Sequence, residues 1–190
     1  MKKYDNVIIF DHPLIRHKIA ILRDERTSMK EFRELVEEIT TLMTYESLKD
    51  GVPTSEKTVK TPLETCTQTV VADNSVVIVP ILRAGLGMVD GLLRLVPVAR
   101  VGRIGLYRDP DTHEPVEYYC KMPPDIEERL VVVVDPMLAT GGSASDAITM
   151  VNNSAKMATK ANGVRNVKMI APMSKTGATF HTVNCRERNI

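Results

Sequence analysis

Two stretches of this chain, Val76–Leu82 (VVIVPIL) and Leu130–Val134 (LVVVV), are apolar without interruption. A strand wetted on one face alternates apolar and polar residues, so an unbroken apolar strand is one covered on both faces. Each run ends in a glycine-bearing turn and is followed by a helical pattern, over Gly85–Val96 and from about Ser143 to Ala161. A third apolar run, Val167–Ala171, comes after the second helix. Strand and helix in alternation predict an α/β fold: a mainly parallel sheet flanked by helices and joined by right-handed crossovers. In such sheets ligands bind beyond the carboxyl ends of the strands. Both glycine-bearing turns sit at such ends and should face one crevice.

The rest of the chain adds helices at the front and a hairpin arm. Pro13 opens a short helix through Leu22, and Ser28 with Glu31 has capping-box spacing. Phe32, Leu35, Val36, Ile39, Leu42 and Met43 then recur on one helical face until Lys49-Asp50-Gly51-Val52-Pro53 breaks it. Alternating segments at Thr58–Leu63 and Thr65–Val71 predict an exposed hairpin, and Arg100–Tyr107 with Val116–Met122 predict strands around the turn at Asp109–His113. At 190 residues the chain is expected to be one domain, 1–190.

Composition excludes several classes. A formal charge of +1 and 4% aromatics without tryptophan argue against a nucleic-acid partner. No apolar run nears the roughly 18 residues that span a bilayer, and Asp5 and Asp11 interrupt the N-terminal apolar patch, so neither a membrane span nor a signal peptide is expected. Cys66, Cys120 and Cys185 are odd in number and far apart, which suits reduced thiols in the cytoplasm. His12 and His17 are five apart beside Arg16 and Lys18, and His181 with Cys185 stands in an unpatterned stretch, so no metal site is expected.

The loop after Leu130–Val134 reads Asp135-Pro136-Met137-Leu138-Ala139-Thr140-Gly141-Gly142-Ser143. Glycines let successive backbone N–H groups point into one concavity, the following helix adds its positive end, and Thr140 and Ser143 bring hydroxyls. That is a phosphate cradle with an acid, Asp135, placed to accept from nearby hydroxyls: the needs of a ribose 5-phosphate. A glycine turn that merely starts a helix is the plainer alternative. Neither the Gly-Lys-Ser/Thr of a nucleotide-triphosphate loop nor the G-x-G-x-x-G of a dinucleotide site is present. Arg83, in VPILRAGLGM, and Arg108, in IGLYRDP, end two other strands. A guanidinium grips phosphate oxygens in a bidentate manner, although either arginine taken alone would read as a surface residue on a turn.

These motifs together resemble the type I phosphoribosyltransferases, and Asp-Pro-Met-Leu-Ala-Thr-Gly-Gly-Ser is similar to the form found in uracil phosphoribosyltransferases. Blocks in the same order strengthen the likeness: His12–Lys18, Pro80–Met88, and Tyr107-Arg108 leading to Glu114–Tyr119. Most of the superfamily carries two consecutive acids where this chain has Asp135-Pro136. The resemblance implies transfer of ribose 5-phosphate from phosphoribosyl pyrophosphate to uracil, giving UMP and diphosphate in pyrimidine salvage. It implies that Asp135 holds the ribose hydroxyls, that Leu138 to Ser143 hold the 5-phosphate, and that Arg83 and Arg108 hold the pyrophosphate. Mg²⁺ arriving on the diphosphate and a homodimer or higher assembly through the arm are implied too, as is the GTP activation known in some members, with no residues to place it on.

The likeness weakens toward the end. Val151–Asn162 is longer than the family's helix and turn by roughly two turns, which at 3.6 residues per turn keeps the same face inward. After Val167–Pro172 the match is expected to stop, leaving 173–190 as a divergent, truncated and disordered tail in which no uracil-binding residue can be assigned. The donor motifs suit equally a non-catalytic or decayed phosphoribosyl-pyrophosphate-binding protein lacking the uracil loop, and that alternative stands beside the enzyme.

Overall fold

A computed structural model describes residues 7–111, 115–159, 164, 166–174 and 181–185, with the backbone alone at 108, 158–159 and 181–185. Strand β1 (Val7–Ile8) precedes helices α1 (Pro13–Leu22) and α2 (Met29–Leu48), then a hairpin of β2 (Thr54–Lys60) and β3 (Thr65–Val71). Strand β4 (Val76–Leu82), helix α3 (Leu86–Leu95), β5 (Arg100–Val101), β6 (Arg103–Arg108) and β7 (Pro115–Lys121) follow. After a 3₁₀ turn at Ile126–Glu128 come β8 (Leu130–Val134), β9 (Met137–Leu138), α4 (Gly142–Thr159), β10 (Asn166–Ala171), β11 (Met173–Ser174) and β12 (His181–Cys185).

The main sheet runs β1-β12-β10-β8-β4-β6-β7, with β5 pairing β4 beside β6. Its centre is parallel, β10 on β8 on β4 on β6, and its margins β7, β12 and β1 are antiparallel. The expected α/β architecture is therefore present. The apolar runs form strands because alternate residues enter two separate cores. Val76, Ile78, Val132, Val134 and Ile170 pack against α1, α2 and α3. Val77, Val79, Val131, Val133 and Met169 pack against the inner face of α4 at Ala144, Ala147, Val151 and Ala155. Burying each such side chain contributes about 1.5–3 kcal/mol.

The helices start where their caps allow. Ser28 Oγ accepts from the Glu31 amide at 3.2 Å to open α2, and His12 Nδ1 accepts from the Leu14 amide at 3.2 Å ahead of Pro13 in α1. Gly91 lets α3 lie against α2: a Cβ there would stand 2.6 Å from the Glu37 carbonyl oxygen.

Three readings need correction. The first hairpin strand begins at Thr54, not Thr58, because it pairs along the full length of β3 from Val71 to Thr65. The expected strand Arg100–Tyr107 is split at Gly102, whose amide turns to donate to the Ile78 carbonyl at 2.9 Å. The segment from Met173 was expected to hold no regular element, yet it contributes β11 and β12, and β12 lies antiparallel between β10 and β1. Pairing on an open strand edge uses backbone groups and needs no apolar pattern. Residues 175–180 and 186–190 of that tail, and 160–162 of the expected insertion, lie outside the described residues.

One buried charge interrupts the α2-facing core. Lys168, on β10 and 5% exposed, points to the same face as Ile170. Its ammonium donates to the carbonyls of Ser47 and Asp50 at the end of α2, where a helix favours positive charge. Lys168→Met keeps the stem's bulk but leaves those carbonyls without this donor. Losing hydrogen bonds from a charged donor costs about 1.5–3 kcal/mol. The melting temperature should fall by roughly 2–4 °C per kcal/mol at this chain length, and an unchanged melt would show the cap to be dispensable.

Candidate functional site

The register of the parallel strands sets where the loops meet. Val134 pairs with Pro80 on one side and with Ile170 on the other, so β4, β8 and β10 end at nearly the same level. Leu82 pairs with Gly105, and β6 continues to Arg108. Arg83, Arg108 and Asp135 are therefore all carried at the carboxyl ends of neighbouring strands, in the order β8-β4-β6.

Gly85 closes the gap between the first two loops. Its amide donates to the Ile81 carbonyl at 2.9 Å. A Cβ at this position would stand 2.5 Å from the Val134 carbonyl oxygen and 2.8 Å from the Ile81 nitrogen, both backbone atoms that cannot swing aside. The glycine needed for this close approach was visible in the sequence; the neighbour it approaches was not. Arg83 follows a cis Leu82–Arg83 peptide and is exposed. Among the described residues no carboxylate lies within ion-pair range of its guanidinium, which leaves it available to an anion. The side chain of Arg108 lies outside the described residues, as do 112–114 in the arm.

The expected cradle is assembled from contiguous residues. Asp135, Met137 to Ser143 and Ala144 line a cavity of about 50 Å³ at the start of α4, where roughly 10–15 Å³ suffices for one water. Gly141 has φ +86°, a left-handed conformation that side chains resist, and no atom lies within 4 Å of where its Cβ would be. Its carbonyl takes the Ser145 amide at 2.9 Å as the helix begins. The orphan amides of the first helical turn and the helix dipole both favour an anion at this end. Pro136 lies within the same loop but does not line the cavity.

Asp135 is half-buried at the cradle's edge. Burial pushes its carboxyl above the ordinary carboxylate range, and the Met137 amide, donating to Oδ1 at 3.3 Å, offsets part of this. The sequence reading missed a contact on the far side of the loop: β9 pairs in parallel with β11, and the Met173 amide donates to the Pro136 carbonyl at 3.1 Å. The His12–Lys18 block opens α1, which packs on α2, and takes no part in lining this cavity. Among the described residues no group of three metal-ligating side chains occurs.

A mainly parallel sheet with an acid and a glycine-bearing loop at one strand end, and an arginine at the next, is the architecture expected of a type I phosphoribosyltransferase fold. A hypoxanthine-guanine phosphoribosyltransferase from Bacillus anthracis shares this fold with a TM-score of 0.50, at 11% identity over 83% of this chain and 73% of that one. The uracil phosphoribosyltransferase family model matches residues 8–183, and the chain belongs to that family. The match runs past Pro172 into β12, beyond where it was expected to stop. Uracil phosphoribosyltransferases of Brevibacillus brevis and Thermoanaerobacter sp. are each 56% identical, over 164 and 167 residues. These alignments cover 86% and 88% of this chain and 74% and 75% of those proteins. The AQ2163 protein from Aquifex aeolicus is 34% identical in sequence and superposes with a TM-score of 0.77, over 88% of this chain and 76% of that one.

The raised Asp135 carboxyl carries a pH signature. Below the ordinary carboxylate range, near 3.8, it is protonated folded or unfolded and contributes no difference. As pH climbs toward the raised folded value, the unfolded chain releases this proton first, and the carboxyl's contribution to stability declines. Above that value the burial penalty is present in full. Asp135→Asn, which keeps the acceptor for the Met137 amide, should therefore melt higher than the parent at pH 7 and level with it at low pH. Parallel thermal melts across that range test this, and a variant that melts lower at pH 7 would refute the burial account.

Proposed function

We propose that this chain transfers ribose 5-phosphate from phosphoribosyl pyrophosphate to N1 of uracil, releasing diphosphate and UMP, a step of pyrimidine salvage. The observation that supports this reading is the level ending of β4 and β8, so that the turn carrying Arg83 and the Asp135–Ser143 loop start from neighbouring strand ends. In it, Leu138 to Ser143 receive the 5-phosphate through backbone amides and hydroxyls, and Asp135 accepts from the ribose hydroxyls. Arg83 and Arg108 hold the pyrophosphate. The C1–O bond breaks with its electron pair leaving on diphosphate, positive charge gathers on the ribose, and the uracil nitrogen bonds to C1 as its proton passes to solvent water. Fixed cations at the leaving group favour that transition state over the ground state.

Mg²⁺ is part of this proposal as a metal arriving on the donor's diphosphate oxygens, where it would neutralise leaving-group charge. A single carboxylate followed by Pro136, with no third ligand grouped beside it among the described residues, suits a metal held chiefly by substrate oxygens rather than by a protein cage. The place of action is proposed to be the cytoplasm. Cys66 and Cys120 are free thiols, and no helix among the described residues is long and apolar enough to cross a membrane.

Thr140→Ala combined with Gly141→Val should abolish phosphoribosyl pyrophosphate binding, because the new side chain enters space the phosphate needs and strains the turn. Arg83→Ala should weaken pyrophosphate binding and spare ribose 5-phosphate. Calorimetry with both ligands, beside a uracil-dependent UMP assay, decides: equal losses for the two ligands would refute the division of labour. Donor binding without any UMP would replace the enzyme by a binding protein.

A homodimer is proposed through the arm of β6 and β7. Tyr107, Tyr118 and Tyr119 are exposed on it, with the Tyr118 ring seated over Gly105, where a Cβ would lie 2.5 Å from it. Exposed aromatic patches of this kind mark interfaces. Light scattering at micromolar concentration should give at least twice the chain mass, and Tyr118→Asp with Tyr119→Asp should bring it down. A monomeric parent refutes the arm's role.

A further inference from the structure

The phosphate loop is fastened to a segment that lies more than thirty residues further along the chain. The Asp135 amide donates to the Ile170 carbonyl at 3.3 Å, and the Met173 amide donates to the Pro136 carbonyl at 3.1 Å. β9 and β11 then run side by side in the register Met173↔Met137 and Ser174↔Leu138. The chain on either side of Pro136 is thus tied to the chain on either side of Pro172.

The loop has need of such a fastening. Met137, Ala139 and Thr140 are exposed, and Gly141 projects into open space. Pro136 has no amide to give. Among the described residues, the backbone hydrogen bonds leaving 135–138 for other parts of the chain run to the end of β10 and to β11. A loop without this attachment would have to be ordered by its ligand, and ordering on binding lowers affinity.

We infer that Met173 and Ser174 are positioning residues for the donor's 5-phosphate, their short parallel ladder holding the Asp135–Ser143 loop in its receiving shape. The inference rests on the donor-site reading above. It gives the segment after β10 a hand in donor affinity, separate from any part it plays in recognising the acceptor.

The test uses the full chain with Met173→Pro, which removes the amide and keeps the carbonyl, and Met173→Leu, which keeps both. Calorimetry should show Met173→Pro weakening ribose 5-phosphate by about tenfold or more while pyrophosphate stays within about twofold, and Met173→Leu leaving both within about twofold. An unchanged ribose 5-phosphate affinity, or equal loss for both ligands, would overturn the inference. Where Met173→Pro does not fold, hydrogen exchange on the unmodified chain decides. Ribose 5-phosphate should protect the amides of 137–143 and of Met173 together, and protection of the loop without Met173 would overturn it. Failure of the unmodified chain to bind ribose 5-phosphate at all is a different result: it removes the donor-site reading, and the inference with it.

Discussion

Strands β10, β8 and β4 cannot slide past one another, and the rest of the molecule is arranged around that fact. Each is covered on both faces, with alternate residues committed to different cores. A shift of one residue would exchange the two sets, sending Val131 and Val133 toward α1, α2 and α3 and Val132 and Val134 toward α4. Every side chain in the layer opposes such a slip. The fixed register brings Pro80, Val134 and Ile170 level, and the loops that follow them start from a common height. Gly85 then lets the first two loops touch, since only a hydrogen fits against the Val134 carbonyl.

What could be read in advance follows the range of the interactions concerned. Val76–Leu82 and Leu130–Val134 match their strands to the residue because an apolar run bounded by turns is a local signal. The Ser28 cap and the glycine turn that opens α4 were legible for the same reason, each being built from neighbours in sequence. The interruption at Gly102 was not, since its cause lies in Ile78 and in the change from β5 to β6 beside β4. Strands β11 and β12 are held by backbone pairing to distant partners, which leaves little mark on side-chain pattern. Lys168 misleads in the opposite direction: a charge in a strand suggests an exposed face, and here it serves the end of α2.

The single acid at the strand end has a physical rationale that local pattern only hinted at. With Pro136 following, Asp135 has no second carboxylate beside it to share or repel a proton, and the cause of its upward shift is burial. Its described donor is the Met137 amide at 3.3 Å, a long contact. A partly desolvated carboxylate gains most from a ligand that brings hydroxyls of its own. In the proposed reading the ribose does that, and the cost of burying the acid in the free protein is offset only when the donor is bound.

The same logic bears on how far donor and acceptor halves can be treated as separate. β10 has a partner on each side, β8 in parallel and β12 antiparallel, so its carboxyl end is fixed from both flanks. The segment leaving that end is then a firm point to which the phosphate loop can be tied, as the Met173–Pro136 contact does. Strand β12, lying between β10 and β1, therefore supports, through β10 and β11, a loop two strands inward that it never touches in the pairing. Divergence after β10 would reach this loop by that route even with every residue from Asp135 to Ser143 unchanged. The Asp135–Ser143 loop is contiguous in sequence, but its shape is a property of the sheet.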